Sequence, residues 1–160
     1  MSKTLVYFGI VFLSFLPISE LRGAIPFAIA NHVPWWAAFL LAVICNSLVA
    51  PFCWIFLSTL HKLFLKMKWY SRFFDRMIER ARKKLHKDVE RWGWLGIALF
   101  VAIPLPLTGA WTGTLGAWVL GLSRRKTMLA VILGVLSAGI IVTAVMLLGI
   151  HALGIFVKKV

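Results

Sequence analysis

The stretch LVYFGIVFLSFLPISELRGAIPFAIA, residues 5–30, decides the fold. It contains two apolar limbs, residues 5–16 and 21–30, on either side of Pro17-Ile18-Ser19. Each limb would extend only about 15–18 Å as a helix, whereas a membrane crossing needs about 20 residues. A proline turn followed by a serine N-cap is typical of one helix ending and another beginning. We therefore expect a re-entrant hairpin over 5–30 that turns at mid-membrane depth; the alternative is one full span with a ragged exposed end.

The composition of the whole chain excludes an ordinary soluble fold. Of 160 residues, 61% are hydrophobic, 18 are basic and only 5 are acidic, which gives a net charge of +13. A soluble domain of this size has too little interior to bury so much apolar surface, and a disordered chain is far less apolar. The charge alone could suggest nucleic acid, but in so apolar a chain it favours contact with anionic lipid. We expect an all-α integral membrane protein with membrane lipid, and no nucleic acid, among its partners.

Residues 35–60 are long and apolar enough to form a full transmembrane span. Two tryptophans, Trp35 and Trp36, open the segment as an interfacial anchor. Asn46 is polar at its middle, and Pro51 is expected to free a backbone carbonyl one turn earlier. Polar groups at such depth hold helices together more often than they bind substrate, and both uses require them to face protein. Hairpin and span together make a first membrane repeat, residues 1–61.

Residues 62–91 differ in character from the rest of the chain. They hold 11 of the 18 basic residues and 4 of the 5 acidic ones. Apolar residues recur every fourth position among the charges: Trp69, Phe73, Met77, Ala81 and Leu85. This pattern predicts a basic amphipathic helix in the membrane interface, in contact with anionic lipid at the cytoplasmic face.

The remaining residues, 92–160, repeat the order of the first half. A second hairpin is expected over 92–122, with Pro104-Leu105-Pro106 as its turn. The segment 127–157 then forms a second span, which is long enough that it must tilt, break near Gly149 or end in the interface. Placing the basic segments in the cytoplasm makes the two hairpins enter from opposite faces, so the repeat is inverted. If the short limbs are plain spans, the N-terminus is cytoplasmic instead.

Two helix N-termini would then meet near mid-membrane, one at Ser19 or Glu20 and the other near Thr108. Helix N-termini carry partial positive charge and free N–H donors, so opposed ends form an anion site. Arg22 falls in the first turn of the first helix and is predicted to hold an anionic head group. Glu20, about 200° around the helix from Arg22, is predicted to face the other wall or the opposite hairpin rather than to pair with Arg22, and to carry a coupling proton. The alternative is that residues 20–22 lie in an exposed loop.

The remaining site predictions follow from the same arrangement. The predicted substrate-binding residues are Arg22, Ser19, Thr108, Gly109 and Trp111. Turns are predicted at Pro17, Pro104 and Pro106, and Gly113 is expected to pack or hinge its helix. Asn46 is the polar residue of the first span. No HExxH, CxxC or carboxylate cluster occurs, so we expect no catalytic residue, no metal and no cofactor.

Two motifs carry a family resemblance. Glu20-Leu-Arg-Gly-Ala-Ile-Pro26, followed by Pro104-Leu-Pro-Leu-Thr-Gly-Ala-Trp-Thr-Gly113, resembles the small multidrug export family of prokaryotes. That family is similar to the DedA/VTT membrane proteins, which have two re-entrant hairpins with acidic and basic residues inside the membrane. The resemblance implies a multi-pass protein of the prokaryotic cytoplasmic (inner) membrane that translocates lipid or a lipid carrier. It adds Gly23 as a packing or hinge position and Pro26 as a turn position.

The functional expectation is a small transporter or flippase that works as a homodimer. Its substrate would be an anionic amphipathic or lipid-like molecule, and transport would be proton-coupled through Glu20. The alternatives are an uncoupled lipid scramblase and a structural or lipid-sensing membrane protein. An enzyme is not expected, because the chain offers no acid–base pair or nucleophile constellation.

Overall fold

The computed structural model describes residues 2–59, 75, 76, 79, 92–105 and 108–157, with side chains up to residue 149. All regular elements in this part of the chain are helices. In chain order they are α1 (Lys3–Phe15), α2 (Glu20–Ala30), α3 (Trp35–Ser47), α4 (Val49–Thr59), α5 (Trp94–Ala102), α6 (Ala110–Val119) and α7 (Arg124–Val157). The all-α prediction is confirmed for these residues. The predicted amphipathic helix 62–91 lies outside them, apart from residues 75, 76 and 79.

The first hairpin consists of α1 and α2, which pack against each other. The backbone of Leu16 is extended, with φ −68° and ψ 131°, because a following proline disfavours helical geometry. Pro17 therefore lies in a turn, as predicted, and α2 begins at Glu20. Pro26 was predicted at a turn, and that is wrong: it lies inside α2. A proline there removes one backbone hydrogen bond without ending a helix that continues for only four more residues.

The second hairpin consists of α5 and α6. Ile103 ends α5 with an extended backbone, φ −75° and ψ 116°, immediately before Pro104. The chain then turns, and α6 begins at Ala110. Pro106, the other predicted turn residue, lies outside the described residues.

Two helical segments are long and apolar enough to cross a membrane, Trp35–Thr59 with 25 residues and Arg124–Gly149 with 26. The first is interrupted at Leu48, three residues before Pro51, whose missing N–H leaves the helical pattern incomplete there. The second is one continuous helix, α7, that passes through Gly149. Of the three alternatives for this segment, a break near Gly149 is therefore wrong. That the hairpins are re-entrant and that the repeat is inverted stay predictions.

The buried core lies where both hairpins meet the two long segments. Helix α2 packs on α1, α3 and α7, and α5 packs closely along α7. Gly134 of α7 permits this approach, because a Cβ there would lie 2.7 Å from the carbonyl oxygen of Ala98 in α5. Large apolar side chains also cover the outer surface, including Phe8, Ile140 and Leu148. An exposed apolar surface of this extent is typical of contact with lipid.

Candidate functional site

The N-termini of α2 and α6 meet through Glu20, the first residue of α2. Its carboxylate accepts hydrogen bonds from the backbone N–H groups of Ala110 at 3.3 Å and Trp111 at 3.5 Å. The Glu20 side chain is only 4% exposed. Negative charge is stabilised at a helix N-terminus by its free N–H donors and by the helix dipole. The carboxylate of Glu20 thus occupies the anion site of α6.

Gly109 makes room for this carboxylate. Its backbone has φ 154° and ψ −168°, a region open essentially to glycine alone. A Cβ at this position would lie 2.5 Å from Cδ of Glu20. Glu20 itself has a positive φ of 50°, which is uncommon for a residue with a side chain. The contact between the two helix ends is therefore made with unusual backbone conformations on both sides.

Arg22 holds the turn of the second hairpin. Its Nη1 donates to the carbonyl oxygen of Leu105, and its Nη2 donates to the carbonyl oxygen of Thr108 and to Oγ1 of Thr108, the last at 3.1 Å. The Thr108 hydroxyl in turn lies 2.7 Å from the carbonyl oxygens of Ile103 and Leu105. The Nε atom of Arg22 is buried and has no hydrogen-bonding partner among the described residues. The guanidinium therefore has donor capacity beyond what the turn uses.

Trp111 makes the reciprocal contact from the second hairpin to the first. Its indole Nε1 donates to the carbonyl oxygen of Phe15, the last residue of α1, at 3.0 Å. Its ring meets Phe52 of α4 edge-on at 6.0 Å, and Phe52 meets Phe15 in the same way at 6.1 Å. Each hairpin therefore binds the turn region of the other.

Asn46 of α3 lies beside this contact. It is fully buried. Both uses considered for it, holding helices together and binding substrate, require it to face protein. Its side chain lies near the Glu20 carboxyl group but makes no hydrogen bond of normal geometry with it. Neither its Oδ1 nor its Nδ2 has a hydrogen-bonding partner among the described residues. Buried polar groups are normally paired, so this amide is a candidate for a partner in another state of the site.

The structure brings most of the predicted site residues together: Glu20, Arg22, Thr108, Gly109 and Trp111. Two others have different surroundings. Ser19 makes no side-chain cap bond, and its hydroxyl instead lies over Gly23, where a Cβ would meet it. Gly113 packs on Val101 of α5, outside the site. The Ala110 N–H belongs to the helix N-terminus that is predicted near Thr108. The groups that the sequence could not indicate are backbone carbonyl oxygens such as that of Leu105, because their roles depend on the tertiary fold.

The described residues contain neither a cluster of potential metal ligands nor a disulfide. Within the described ranges, no group of three or more His, Cys, Asp or Glu side chains could hold a metal ion. Cys45 and Cys53 are both free and buried.

Comparison with known protein families bears on the same residues. The family described as small multi-drug export protein matches residues 20–141, which is most of the chain. The chain belongs to this family. The match begins at Glu20 and includes Arg22 and the whole second hairpin, and the family is one of export proteins rather than enzymes. A search of curated proteins and of solved structures gave no match.

Proposed function

We propose that the chain is a small membrane transporter or flippase for an anionic amphipathic or lipid-like substrate, coupled to protons through Glu20. The observation that carries this proposal is the Glu20 carboxylate at the N-terminus of α6, with the Arg22 guanidinium on the adjoining turn. Two helix N-termini and one guanidinium attract an anion. In this state the protein's own carboxylate occupies that position.

The proton would act by changing what Glu20 can bond to. An ionised carboxylate only accepts hydrogen bonds, which suits the N–H groups of Ala110 and Trp111. A protonated carboxyl also donates one, and the Asn46 amide offers an acceptor and a donor side by side. Protonation would therefore move Glu20 from α6 to α3 and free the N–H groups of α6 for a substrate anion. Ionisation of Glu20 would favour release, so binding should strengthen as the pH falls.

Arg22 would hold the anionic group of the substrate. Its planar guanidinium can bond two oxygens of a phosphate or carboxylate at once. In the described state these donors bind carbonyl oxygens at the second turn, so substrate oxygens would replace them. Arg22→Lys should weaken binding although the charge is kept, because the forked geometry is lost.

The wider arrangement belongs to the same proposal. We propose that both hairpins are re-entrant and form an inverted repeat, as in the DedA/VTT proteins, in the prokaryotic cytoplasmic (inner) membrane. The basic segment 62–91 would bind anionic lipid at the cytoplasmic face. A homodimer is the simplest way to enclose a pathway, since two spans and two hairpins are few elements for this purpose.

The test is transport in proteoliposomes under a pH gradient. The probe is a fluorescent single-chain phosphatidic acid, whose movement between leaflets is followed by quenching from outside. Wild type should respond to the gradient, and Glu20→Gln should still bind the probe but lose the pH dependence. Glu79→Gln is the matched control, because Glu79 is exposed; Arg76→Lys serves in the same way for Arg22→Lys.

Two outcomes would count against the proposal. An unchanged gradient response in Glu20→Gln would exclude proton coupling through this residue and would favour the uncoupled scramblase. Absence of probe movement in wild-type vesicles would contradict transport of this substrate class and would favour a structural or lipid-sensing role.

A further inference from the structure

A cavity lies beside Arg22, on the side of α2 that faces α7. It has a volume of about 260 Å³ and is lined by Arg22, Pro26, Pro104, Ile141, Val142, Val145 and Met146. Arg22 is the sole charged side chain of this lining; the others are apolar. The cavity opens to the outer surface of the helix bundle, where Ile141 and Val145 are 41% and 62% exposed. It is therefore continuous with the surface that the apolar side chains of α7 present to lipid.

The charge of the cavity is positive. Glu20, the other ionisable residue of α2, does not line it, because its carboxylate points to the N-terminus of α6. A guanidinium at the end of an apolar slot attracts an anion and repels a cation, and the repulsion is strong where water is scarce. The unpartnered Nε of Arg22 shows that the carbonyl oxygens of the second turn do not saturate the guanidinium.

The size of the cavity limits what can occupy it. Sites for drug-sized molecules typically enclose about 300–1,000 Å³. A slot of about 260 Å³ that opens toward lipid suits one hydrocarbon chain rather than a bulky polycyclic compound. The lining of branched aliphatic side chains and methionine also suits a flexible chain.

We infer that this cavity binds the single hydrocarbon tail of an anionic amphipath whose head group meets Arg22, and that it rejects lipophilic cations. The inference rests on the proposed function and deepens it, because it names the substrate's shape and the sign of its charge. Lipophilic cations therefore do not bind in this cavity. The tail would enter sideways between α2 and α7 while the head group approaches the ends of α2 and α6.

The experiment compares two probes with the same tail and opposite head charge, dodecyl phosphate and dodecyltrimethylammonium. Binding to the full chain is measured in phosphatidylcholine nanodiscs at equilibrium. Dodecyl phosphate should bind at least about tenfold more tightly, the factor that corresponds to one charge-assisted hydrogen bond. Equal binding of both probes, or tighter binding of the cation, would overturn the inference. Adding phosphatidylglycerol to the discs tests whether an anionic two-chain membrane lipid uses the same site. Weak competition supports a single-chain amphipath, and full competition would contradict the single-tail assignment.

Two variants on α7 test the location of the tail without altering Arg22. Val145→Trp fills the cavity and should weaken dodecyl phosphate binding about tenfold or more. Ile140→Trp is the matched control, since Ile140 is 60% exposed and does not line the cavity; it should leave binding within about twofold. Equal binding by wild type and Val145→Trp would show that the tail binds elsewhere. Arg22→Gln should remove the preference for the anion, and a preference that survives would contradict the role of Arg22.

Equilibrium binding also separates this inference from the proposed function. If the anion preference and the Val145→Trp effect hold while Glu20→Gln keeps its gradient response, the tail site stands and proton coupling fails. If the gradient response depends on Glu20 but both probes bind equally, coupling stands and the tail site fails.

Discussion

Gly109→Ala should test the contact between the two helix ends most directly. The substitution places a Cβ about 2.5 Å from Cδ of Glu20, so the carboxylate must leave the N–H groups of Ala110 and Trp111. The backbone strain at Gly109 costs about 1–3 kcal/mol for a residue with a side chain. Loss of hydrogen bonds to a charged group adds about 1.5–3 kcal/mol, and the bonds here are long, which favours the low end. We expect the free energy of unfolding to fall by about 2.5–4.5 kcal/mol.

A double-mutant cycle separates strain from the lost contact. In a Glu20→Ala background no carboxylate remains to be displaced, so Gly109→Ala should cost only the strain, about 1–3 kcal/mol. Gly121→Ala is the control for strain alone, because Gly121 has φ 74° and a Cβ there would meet nothing within 4 Å. The free energies are measured by unfolding in mixed micelles with an increasing fraction of denaturing detergent. If Gly109→Ala costs the same with and without Glu20, the two residues do not interact and the proposed anion site loses its basis.

Two further predictions concern the packing of α5 on α7 and the hydrogen bond from Trp111 to the end of α1. Gly134→Ala should destabilise the protein by about 1–3 kcal/mol, because the Ala98 carbonyl cannot move without separating α5 from α7. Gly149→Ala is the control: Gly149 has open space around it, so the substitution should be neutral or slightly stabilising in the same unfolding assay. An equal loss in both variants would mean that Gly134 does not set the helix spacing. Trp111→Phe should cost about 0.5–1.5 kcal/mol, because the hydrogen bond to the end of α1 is lost. Trp36→Phe, at a 56% exposed position, should change the stability little. The two variants are compared by thermal melts, and coinciding midpoints would show that the Trp111 hydrogen bond does not stabilise the fold.

The main elements of the fold could be predicted because their signals are local. Apolar length marks the two long segments, and a proline forces the preceding residue out of helical geometry, so both hairpin turns begin where the sequence places them. Pro26 misled the prediction because a proline can lie within a helix when the surrounding packing compensates for one missing hydrogen bond. Whether each hairpin is re-entrant, entering and leaving by the same face of the membrane, depends on how the protein sits in the bilayer. Local sequence patterns do not encode this.

The side chains of the candidate site could be predicted from the sequence, whereas several of their backbone partners could not. Glu20 and Arg22 stand out because charge is costly within an apolar segment. Regular helical geometry would separate Glu20 and Arg22 by about 200°. Glu20 departs from that geometry with φ 50°, and both residues contact the second hairpin. The partners of these charges are backbone atoms of Leu105, Thr108 and Ala110, and every residue type supplies such atoms. Thr108 is distinguished as the predicted helix start, but no sequence pattern distinguishes Leu105 or Ala110 from its neighbours.

The two hairpins that contact each other are far apart along the chain, and this separation has a consequence for biosynthesis. Ala110 follows Glu20 by 90 residues, so the first hairpin leaves the ribosome well before its partners exist. At about 5–20 residues per second, the interval is roughly 5–20 s. In the re-entrant arrangement proposed above, Glu20 and Arg22 lie near the centre of the membrane, where a charged residue costs about 2.5–3.5 kcal/mol by translocon scales. In that arrangement the nascent first hairpin would stay at the membrane surface or beside the insertion machinery, and it would reach its final depth only after the second hairpin is made.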